Sequence, residues 1–331
     1  MDRRKAEVLL NAVRLAATLD ATDRHPEGPA GRRPPHARGI DVSGRFHPSP
    51  AARARFRGEL FDGDPVPIWG RFSATIGGAV GAANRLNNVG LSLWVDPDGT
   101  HPPDRTDRTP PGSLVAINLG LFPTAEPTLF PAFLQASHRA GQPPTAGEPD
   151  PLSHFAADHP GVLAGILLYG RARQRGLPTS YAEATYHGNH GFWFARRGGR
   201  PELARYRWEP AAGDRTRRAP GADDRSPGDW SEDSTALSSE LVERLERHRT
   251  VRFTLVLDLG GPSQAADDPS SSWPETLERM VAGELVVDSC LGQCFEQARA
   301  TPWQPPQGIS PDRGDLVMQA RKHVYPLARE A

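Results

Sequence analysis

The chain has 331 residues, of which 37% are hydrophobic and 24% charged, so it can form one large single-core domain or two small ones. Its formal net charge of −1 gives no overall field that would favour nucleic acid or an anionic membrane surface, which excludes both as expected partners. Pro and Gly, with 34 and 33 residues, make up about a fifth of the chain and favour a loop-rich fold over a helix bundle.

The first predicted element is an amphipathic helix. Apolar residues recur at helical spacing over residues 6–21, and polar residues interrupt the apolar run that a secretory leader would need. No stretch of about 20 apolar residues occurs, so we expect no membrane span and a cytoplasmic location. We divide the chain into this helix with its arm (residues 1–28) and a single domain (residues 29–331).

A histidine at the start of a predicted strand is the first candidate for chemistry. His36 lies between Arg33 and Arg38 and follows two prolines that stiffen the backbone. Apolar residues then alternate over residues 40–46, which predicts a strand half buried in a core. A histidine held by such an element suits a catalytic base, and the alternative is a surface histidine in a loop rich in Arg and Pro.

The next segments predict a helix and two strands on either side of a glycine-rich turn. The predicted elements are a helix over residues 51–61 and strands over residues 66–73 and 89–95, the latter ending in a turn at residues 96–99. Residues 77–81 contain three glycines but form a turn rather than a nucleotide-binding loop. The dinucleotide-binding pattern needs a further glycine two positions before Gly78, and that position is Ile76.

A second apolar block covers residues 114–122, which we predict to be a buried strand. Glu126 and Pro127 then begin a predicted helix that carries Phe130 and Phe133. Aromatic residues at helical spacing usually belong to a core, and that is the simplest interpretation of this block.

The second half of the chain alternates regular elements with linkers rich in Pro and Gly. We predict helices over residues 160–169 and 239–245, the latter following an N-cap serine, strands over residues 187–194, 205–209, 251–259 and 285–287, and loops over residues 140–152 and 210–233. His187 and His190 could form a metal-binding pair, but no third ligand is evident and the adjacent glycines argue against a helix.

Two cysteines, Cys290 and Cys294, are too few for a disulfide framework. No Cys or His nearby completes a zinc site. We therefore interpret them as ordinary thiols in a reducing compartment.

The C-terminal segment places Arg321 four residues before Tyr325. On a helix these two side chains face the same way, and a guanidinium beside a phenol stabilises the phenolate, a hard anionic ligand for ferric iron. The simpler alternative is a Tyr/Arg pair that only packs on a terminal helix.

Five blocks taken together resemble the heme catalases, and most closely their short relatives, the catalase-related peroxidases. The family patterns are R-x-x-H-A-[KR]-G with a later G-x-F, P-[VI]-x-x-R-F-S, L-V-G-N-N-x-P-V-F with [DE]-P-x-x-F-P-x-F, a strand N-[GA]-F-x-F with a later D-D-P-x-x-x-W-P, and R-x-x-x-Y-P. Matching segments occur here in the same order over residues 30–135 and 178–331.

The resemblance implies roles for individual side chains. Ser73 would hydrogen-bond the far nitrogen of His36, which fixes the tautomer and leaves the other nitrogen as the base. Arg71 would pair with a heme propionate. The implied catalytic residues are His36 and Ser73, and the implied heme-binding residues are Arg33, Arg71, Phe122, Phe130, Arg321 and Tyr325, the last as the axial iron ligand.

The chain departs from the family pattern at one position. The first asparagine of the N-N pair, the catalytic amide of true catalases, corresponds to Ile117, and Asn118 matches the second, non-catalytic one. Because strand side chains alternate between faces, Asn118 cannot take the catalytic place without a register change or a bulge.

The resemblance also implies a fold and a function. The fold would be α+β, an antiparallel β-barrel with helices packed outside and heme b between the barrel and the helix of Tyr325. The function would be reduction of hydrogen peroxide or an organic hydroperoxide by an unidentified organic electron donor, with weak catalase activity and a role in the oxidative stress response. The alternatives are a tailoring oxidase or hydroperoxide-rearranging enzyme on the same scaffold, or a non-catalytic heme-binding or peroxide-sensing protein. Homo-oligomerisation is left open.

Overall fold

Eight antiparallel strands close into a barrel, and this confirms the predicted α+β architecture. A computed structural model of the protein describes residues 2–18, 38–74, 88–95, 112–140, 147–175, 178–211, 236–248, 250–292 and 303–330. The barrel strands are β1 (Arg38–Pro48), β2 (Val66–Ala74), β3 (Val89–Val95), β4 (Ser113–Ile117), β5 (Tyr186–His187), β7 (Glu202–Pro210), β8 (Val251–Leu259) and β9 (Arg279–Gly292). Their order is β7-β5-β4-β3-β2-β1-β9-β8, and β8 pairs back with β7. Two short strands extend the sheet beyond β7, namely β6 (Phe192–Phe194) and β10 (Ile309–Pro311).

Helices pack outside the barrel. Those in the described part of the chain are α1 (Arg3–Thr18), α2 (Pro50–Arg55), α3 (Phe130–Ala140), α4 (Pro151–Asp158), α5 (Leu163–Arg175), α6 (Ala236–His248) and α7 (Leu316–Glu330). Within that part, no helix has the length and apolar character needed to cross a membrane.

Strand alternation sorts side chains between the barrel interior and the outer face. On β2, Ile68 and Phe72 point into the interior core, whereas Trp69, Arg71 and Ser73 point outward. The same alternation on the neighbouring strands therefore creates an outer face that carries polar side chains.

A second apolar cluster lies outside the barrel and is built mainly by α3, α4 and α5. Phe133 is fully buried in it and meets the rings of Phe155 and Tyr169, with the Tyr169 ring edge-on at 4.8 Å between centroids. Ile117 from β4 and Phe130 from α3 pack against this cluster from the barrel side. The outer face of the barrel and the helices thus meet at these two residues.

The first helix joins two other helices of the chain. Leu10 is buried against Val324 and Leu327 of α7, and Val13 packs on the outer cluster that contains α3. The helix α1 is therefore held between α7 and α3 through Leu10 and Val13, whereas Val8, on the apolar face that helical spacing predicted, is 64% exposed. The proposed boundary between residues 28 and 29 stays a prediction.

Several predicted boundaries were wrong. The predicted helix over residues 51–61 ends at Arg55, because Phe56 is extended and bridges to Arg196, and Gly58 then takes a φ of 120°. The predicted strand over residues 114–122 ends at Ile117, and residues 118–126 turn away to reach the helix.

Other elements differ in extent. The predicted linker over residues 140–152 runs into α4, whose N-terminus is capped by Asp150 through Ser153 N at 2.8 Å. The helix predicted over residues 160–169 is α5, which extends to Arg175 and exposes Leu163 and Leu167. The helix α6 begins three residues before the predicted start of the helix at residue 239, and β9 is longer than the predicted strand. The predicted turns at residues 77–81 and 96–99 lie outside the described residues, as does nearly all of the predicted loop at residues 210–233.

Candidate active site

The outer face of β2 carries two of the predicted site residues, Arg71 and Ser73, both buried. Asp41 on β1 is the register partner of Arg71, and its Oδ1 lies 3.5 Å from Arg71 Nε. Arg71 is 6% exposed and Asp41 is 3% exposed, so each buried charge has an opposite charge beside it. Sequence reasoning missed Asp41, although strand alternation already placed its side chain on the face away from Ile40 and Val42.

Two predicted site residues, Arg33 and His36, lie outside the described residues. The described start of β1 sets Gly39 opposite Ser73 in the register. The backbone that follows His36 is therefore paired with the strand that carries Ser73. The roles of His36 and Arg33 remain predictions.

Ile117, which the resemblance aligns with the catalytic amide of catalases, lies at the end of β4. The adjacent Asn118 is committed elsewhere, because its Oδ1 accepts a hydrogen bond from Val89 N at 3.0 Å. Its own backbone N donates to Val89 O at 3.0 Å. The amide of Asn118 therefore tethers the end of β4 to the start of β3, and the expectation that it does not replace the missing amide agrees with these contacts.

An aromatic wall follows β4. The rings of Phe122 and Phe130 stack with centroids 5.2 Å apart and an interplanar angle of 29°. Phe133 continues the stack beyond Phe130 at 6.4 Å. The backbone N of Phe122 donates to Pro269 O at 3.0 Å, which holds the wall to the loop between β8 and β9. The structure thus brings together the two predicted pocket aromatics, Phe122 and Phe130.

The helix α7 places Arg321 beside this wall. The guanidinium carbon of Arg321 lies 6.0 Å from the ring centroid of Phe122. Tyr325, one turn later on the same helix, is partly buried against the barrel core. The role of Tyr325 as an iron ligand stays a prediction.

A buried His–Asp pair lies at the start of α7 and was missed by sequence reasoning. His190 Nδ1 donates to Asp315 Oδ2 at 2.6 Å, and the two residues are 1% and 0% exposed. The other oxygen of Asp315 caps α7 by accepting from Met318 N at 2.9 Å, where the helix dipole favours an anion. An aspartate just before an amphipathic helix was the available sequence signal.

Electrostatics keep His190 neutral. Burial lowers the pKa of His190, and the positive charge of Arg321 lowers it further against the opposing effect of Asp315. The ring of His190 lies 6.0 Å from that of Phe122. The His190 ring therefore lies between the carboxylate of Asp315 and the aromatic wall.

A second buried arginine, Arg205, holds the loop between β8 and β9 by hydrogen bonds to its carbonyl oxygens. Arg205 donates to the carbonyl oxygens of Ser271 at 2.6 Å and Asp268 at 2.7 Å, and it stacks over the Trp273 ring at 4.5 Å. This is the loop whose Pro269 carbonyl holds Phe122. Burial lowers the pKa of Arg205 to about 10, so it stays charged at neutral pH.

His187 occupies the outer face of the barrel opposite Ile117. Burial, with the positive charge of Arg207, lowers the pKa of His187 to about 4. His187 and His190 do not act as a pair in this structure, because His190 is bonded to Asp315.

The low pKa of His187 predicts a pH dependence of stability. Between pH 6.5 and pH 4 the unfolded chain takes up a proton at this residue that the folded chain does not. This contribution to the free energy of unfolding is complete above pH 6.5 and falls as the pH drops to 4. Urea unfolding of His187→Gln should show a smaller loss of stability over that interval than wild type. The same exchange at exposed His154 is the control, and equal pH dependence of His187→Gln and wild type would contradict the assignment.

Comparison with known sequences gives the family. A sequence model of the catalase family matches residues 3–331. The chain belongs to the catalase family.

Curated relatives of this catalase-family chain share a name. A catalase-related peroxidase of Synechococcus elongatus is 27% identical over 303 residues, which cover 90% of this chain and 82% of that protein. A catalase-related peroxidase of Mycolicibacterium paratuberculosis is 27% identical over 310 residues, which cover 89% of this chain and 87% of that protein.

Solved catalases share the fold. A fungal catalase and catalase A from Saccharomyces cerevisiae each superimpose with a TM-score of 0.69 at 16% identity over 92% of this chain. A bacterial catalase gives a TM-score of 0.66, also at 16% identity. The matched region is 59% of the fungal protein and 61% of the yeast one, so the chain spans about three-fifths of the length of these catalases.

Catalase-family proteins bind heme, and the residues of this chain fit that cofactor. A flat macrocycle needs an apolar wall, which Phe122 and Phe130 provide as stacked rings. Its carboxylates need cations, and Arg71 is a buried cation on the same outer face. Its iron needs an anionic or basic ligand, which the phenol of Tyr325 can provide. One observation runs against this fit. Asp41 already balances the charge of Arg71, so a heme carboxylate would share that cation with Asp41.

Proposed function

We propose that the chain is a heme-dependent peroxidase that reduces hydrogen peroxide, or an organic hydroperoxide, with electrons from an organic donor and has weak catalase activity. The observation that carries the proposal is the position of Arg321 on α7 beside Phe122, with Tyr325 one turn further along the same helix. The relatives named catalase-related peroxidases support it.

We assign heme b as the cofactor, with Tyr325 as the axial ligand, Phe122 and Phe130 against the ring, and Arg33 and Arg71 toward the carboxylates. Bound heme would supply an iron centre that takes an oxygen atom from peroxide and stores two oxidising equivalents. Arg321 lies one turn before Tyr325 on α7, and the buried His190–Asp315 pair holds the start of this helix.

The protein side chains move the proton. His36 accepts a proton from one oxygen of the bound peroxide and returns it to the other oxygen as the O–O bond breaks, so that water leaves rather than hydroxide. Ser73 orients the imidazole by bonding its far nitrogen, which keeps the reactive nitrogen free for peroxide. The apolar wall of Phe122 and Phe130 limits the access of other water to this centre.

Ile117 directs this chemistry away from dioxygen. Oxidation of a second peroxide needs that peroxide to be held beside the iron, and an isoleucine can neither donate nor accept a hydrogen bond. Asn118 does not compensate, because its amide is bonded to the backbone of Val89. Organic donors are then the preferred source of electrons.

Replacing Ile117 by Asn should raise dioxygen evolution from hydrogen peroxide. One added hydrogen bond is worth about 0.5–1.5 kcal/mol, or several-fold to tenfold in the rate of that step. An oxygen electrode measures it, with Ile117→Leu as the apolar control. If wild type already evolves dioxygen as fast as large catalases do, or if Ile117→Asn leaves the rate unchanged, the role given to Ile117 is wrong.

The proposed function is tested with the purified, heme-reconstituted protein. We expect a spectrum of phenolate-ligated ferric heme, a spectral change on adding hydrogen peroxide, and steady-state oxidation of a phenol. A spectral change without turnover of any donor would support a peroxide-sensing protein instead. Consumption of an organic hydroperoxide without a donor would support the rearranging enzyme. Failure to bind heme would refute all three.

The physiological setting remains an expectation. We propose that the protein acts in the cytoplasm, in the oxidative stress response, with hydrogen peroxide and an organic donor as its partners and without nucleic acid or membrane. Homo-oligomerisation can be decided by sedimentation.

A further inference from the structure

Two stacked indoles lie on the outer face of the barrel and have no part in the site described above. Trp69 on β2 and Trp94 on β3 are direct cross-strand partners, with ring centroids 4.3 Å apart and an interplanar angle of 34°. They are 2% and 4% exposed. Serines flank the pair in the same row, Ser43 beside Trp69 and Ser113 beside Trp94.

The pair lies next to the candidate heme site. Trp69 is two residues before Arg71, and on a strand such residues point to the same face about 7 Å apart. Ser92, which opposes Arg71 in the register, is likewise two residues before Trp94. The cation assigned to a heme carboxylate and the indole pair are thus neighbours on one surface.

The row of the indole pair also leads toward solvent. Ser113, opposite Trp94, donates from both its backbone N and its hydroxyl to the carbonyl oxygen of Gln304, at 2.7 and 3.2 Å. Gln304 and Pro305 are partly exposed. The segment of Gln304 and Pro305 therefore lies between Ser113, at the end of this row, and the solvent.

We propose that the Trp69–Trp94 pair is an electron-transfer site through which aromatic donors too large for the pocket deliver electrons to the heme centre, one at a time. The inference rests on the proposed peroxidase function. Indole is among the most easily oxidised side chains, and stacking a second ring beside it spreads the positive charge of the oxidised form. Nε1 of Trp94 is buried with no hydrogen-bond partner among the described residues, so the oxidised ring has no nearby group there to take its proton.

The electrons balance over one turnover. Hydrogen peroxide takes up two protons and two electrons, its O–O bond breaks, and two waters form. Each electron leaves the indole pair for the heme centre, and one donor molecule, a phenol or an aromatic amine, refills the pair. Each donor becomes a radical and releases its proton to solvent.

Electron paramagnetic resonance tests the proposal on the heme-loaded full chain. One equivalent of hydrogen peroxide per heme is added without a donor and the sample is frozen. Wild type should give a tryptophan radical whose signal narrows when the indole rings are deuterated. Trp94→Phe and Trp69→Phe should each lose that radical. Both variants should also lose oxidation of a bulky sulfonated azo dye while they retain oxidation of phenol.

The matched control is Trp208→Phe, which changes a buried indole inside the barrel, edge-on to Phe46. It should keep the radical and the dye oxidation. A radical of unchanged yield in both Trp94→Phe and Trp69→Phe would overturn the proposal. So would a wild type whose spectrum responds to peroxide but which forms no tryptophan radical. A protein that binds no heme, or whose heme does not respond to peroxide, would instead refute the proposed function and the inference with it.

Discussion

Replacing Tyr325 by Phe should abolish stable heme binding or move the ferric spectrum away from that of a phenolate-ligated iron. The exchange keeps the ring that packs against the barrel core and removes only the oxygen that would bind iron. Heme affinity should fall by at least about tenfold, because even residues that only orient metal ligands typically contribute about 10–100-fold. Absorption spectroscopy and heme transfer to an apo-globin measure both effects.

The control is Tyr186→Phe, which removes one hydroxyl inside the barrel, where Tyr186 donates to Tyr181 O at 2.7 Å. It should bind heme with the wild-type spectrum. An unchanged spectrum and affinity in Tyr325→Phe would rule out Tyr325 as the ligand.

Replacing His36 by Ala should leave heme bound and slow the reaction with hydrogen peroxide by about 10²–10⁴-fold, the usual contribution of general acid–base catalysis. The loss arises because peroxide must then lose its proton to water and its leaving oxygen must depart as hydroxide. Stopped-flow absorption measures the rate at equal heme occupancy. The control is His47→Ala on β1, where the imidazole meets Asp64 on the surface at 3.1 Å.

A His36→Ala rate within a factor of two of wild type would exclude His36 as the base. In that case Asp41, the buried carboxylate beside Arg71, becomes the next residue to exchange.

Local pattern predicted much of the fold. Alternation placed the strand over residues 251–259, and helical spacing placed Arg321 and Tyr325 on one helix, because each signal depends on near neighbours in sequence. The closure of the barrel between β7 and β8, and the register that sets Asp41 opposite Arg71, depend on residues far apart in the chain. No local pattern encodes them.

Motifs marked candidate site residues, whereas contacts created by packing alone were missed. The family pattern named Phe122 and Phe130, and the structure brings their rings together. The pair of His190 and Asp315 joins residues 125 positions apart, and its strength comes from complete burial, which the sequence does not state. The helix α4 was missed because residues 140–152, which lead into it, are rich in Pro and Gly like a linker.

The packing of α1 against α7 sets an order for the assembly of the protein. Residues 3–18 are synthesised before α7, whose Val324 and Leu327 cover Leu10. The apolar contact of Leu10 must therefore wait until the barrel strands and α7 have been made, and such distant contacts form slowly. A chain cut before α7 would leave Leu10 uncovered and open to the chaperones and proteases that remove incomplete proteins.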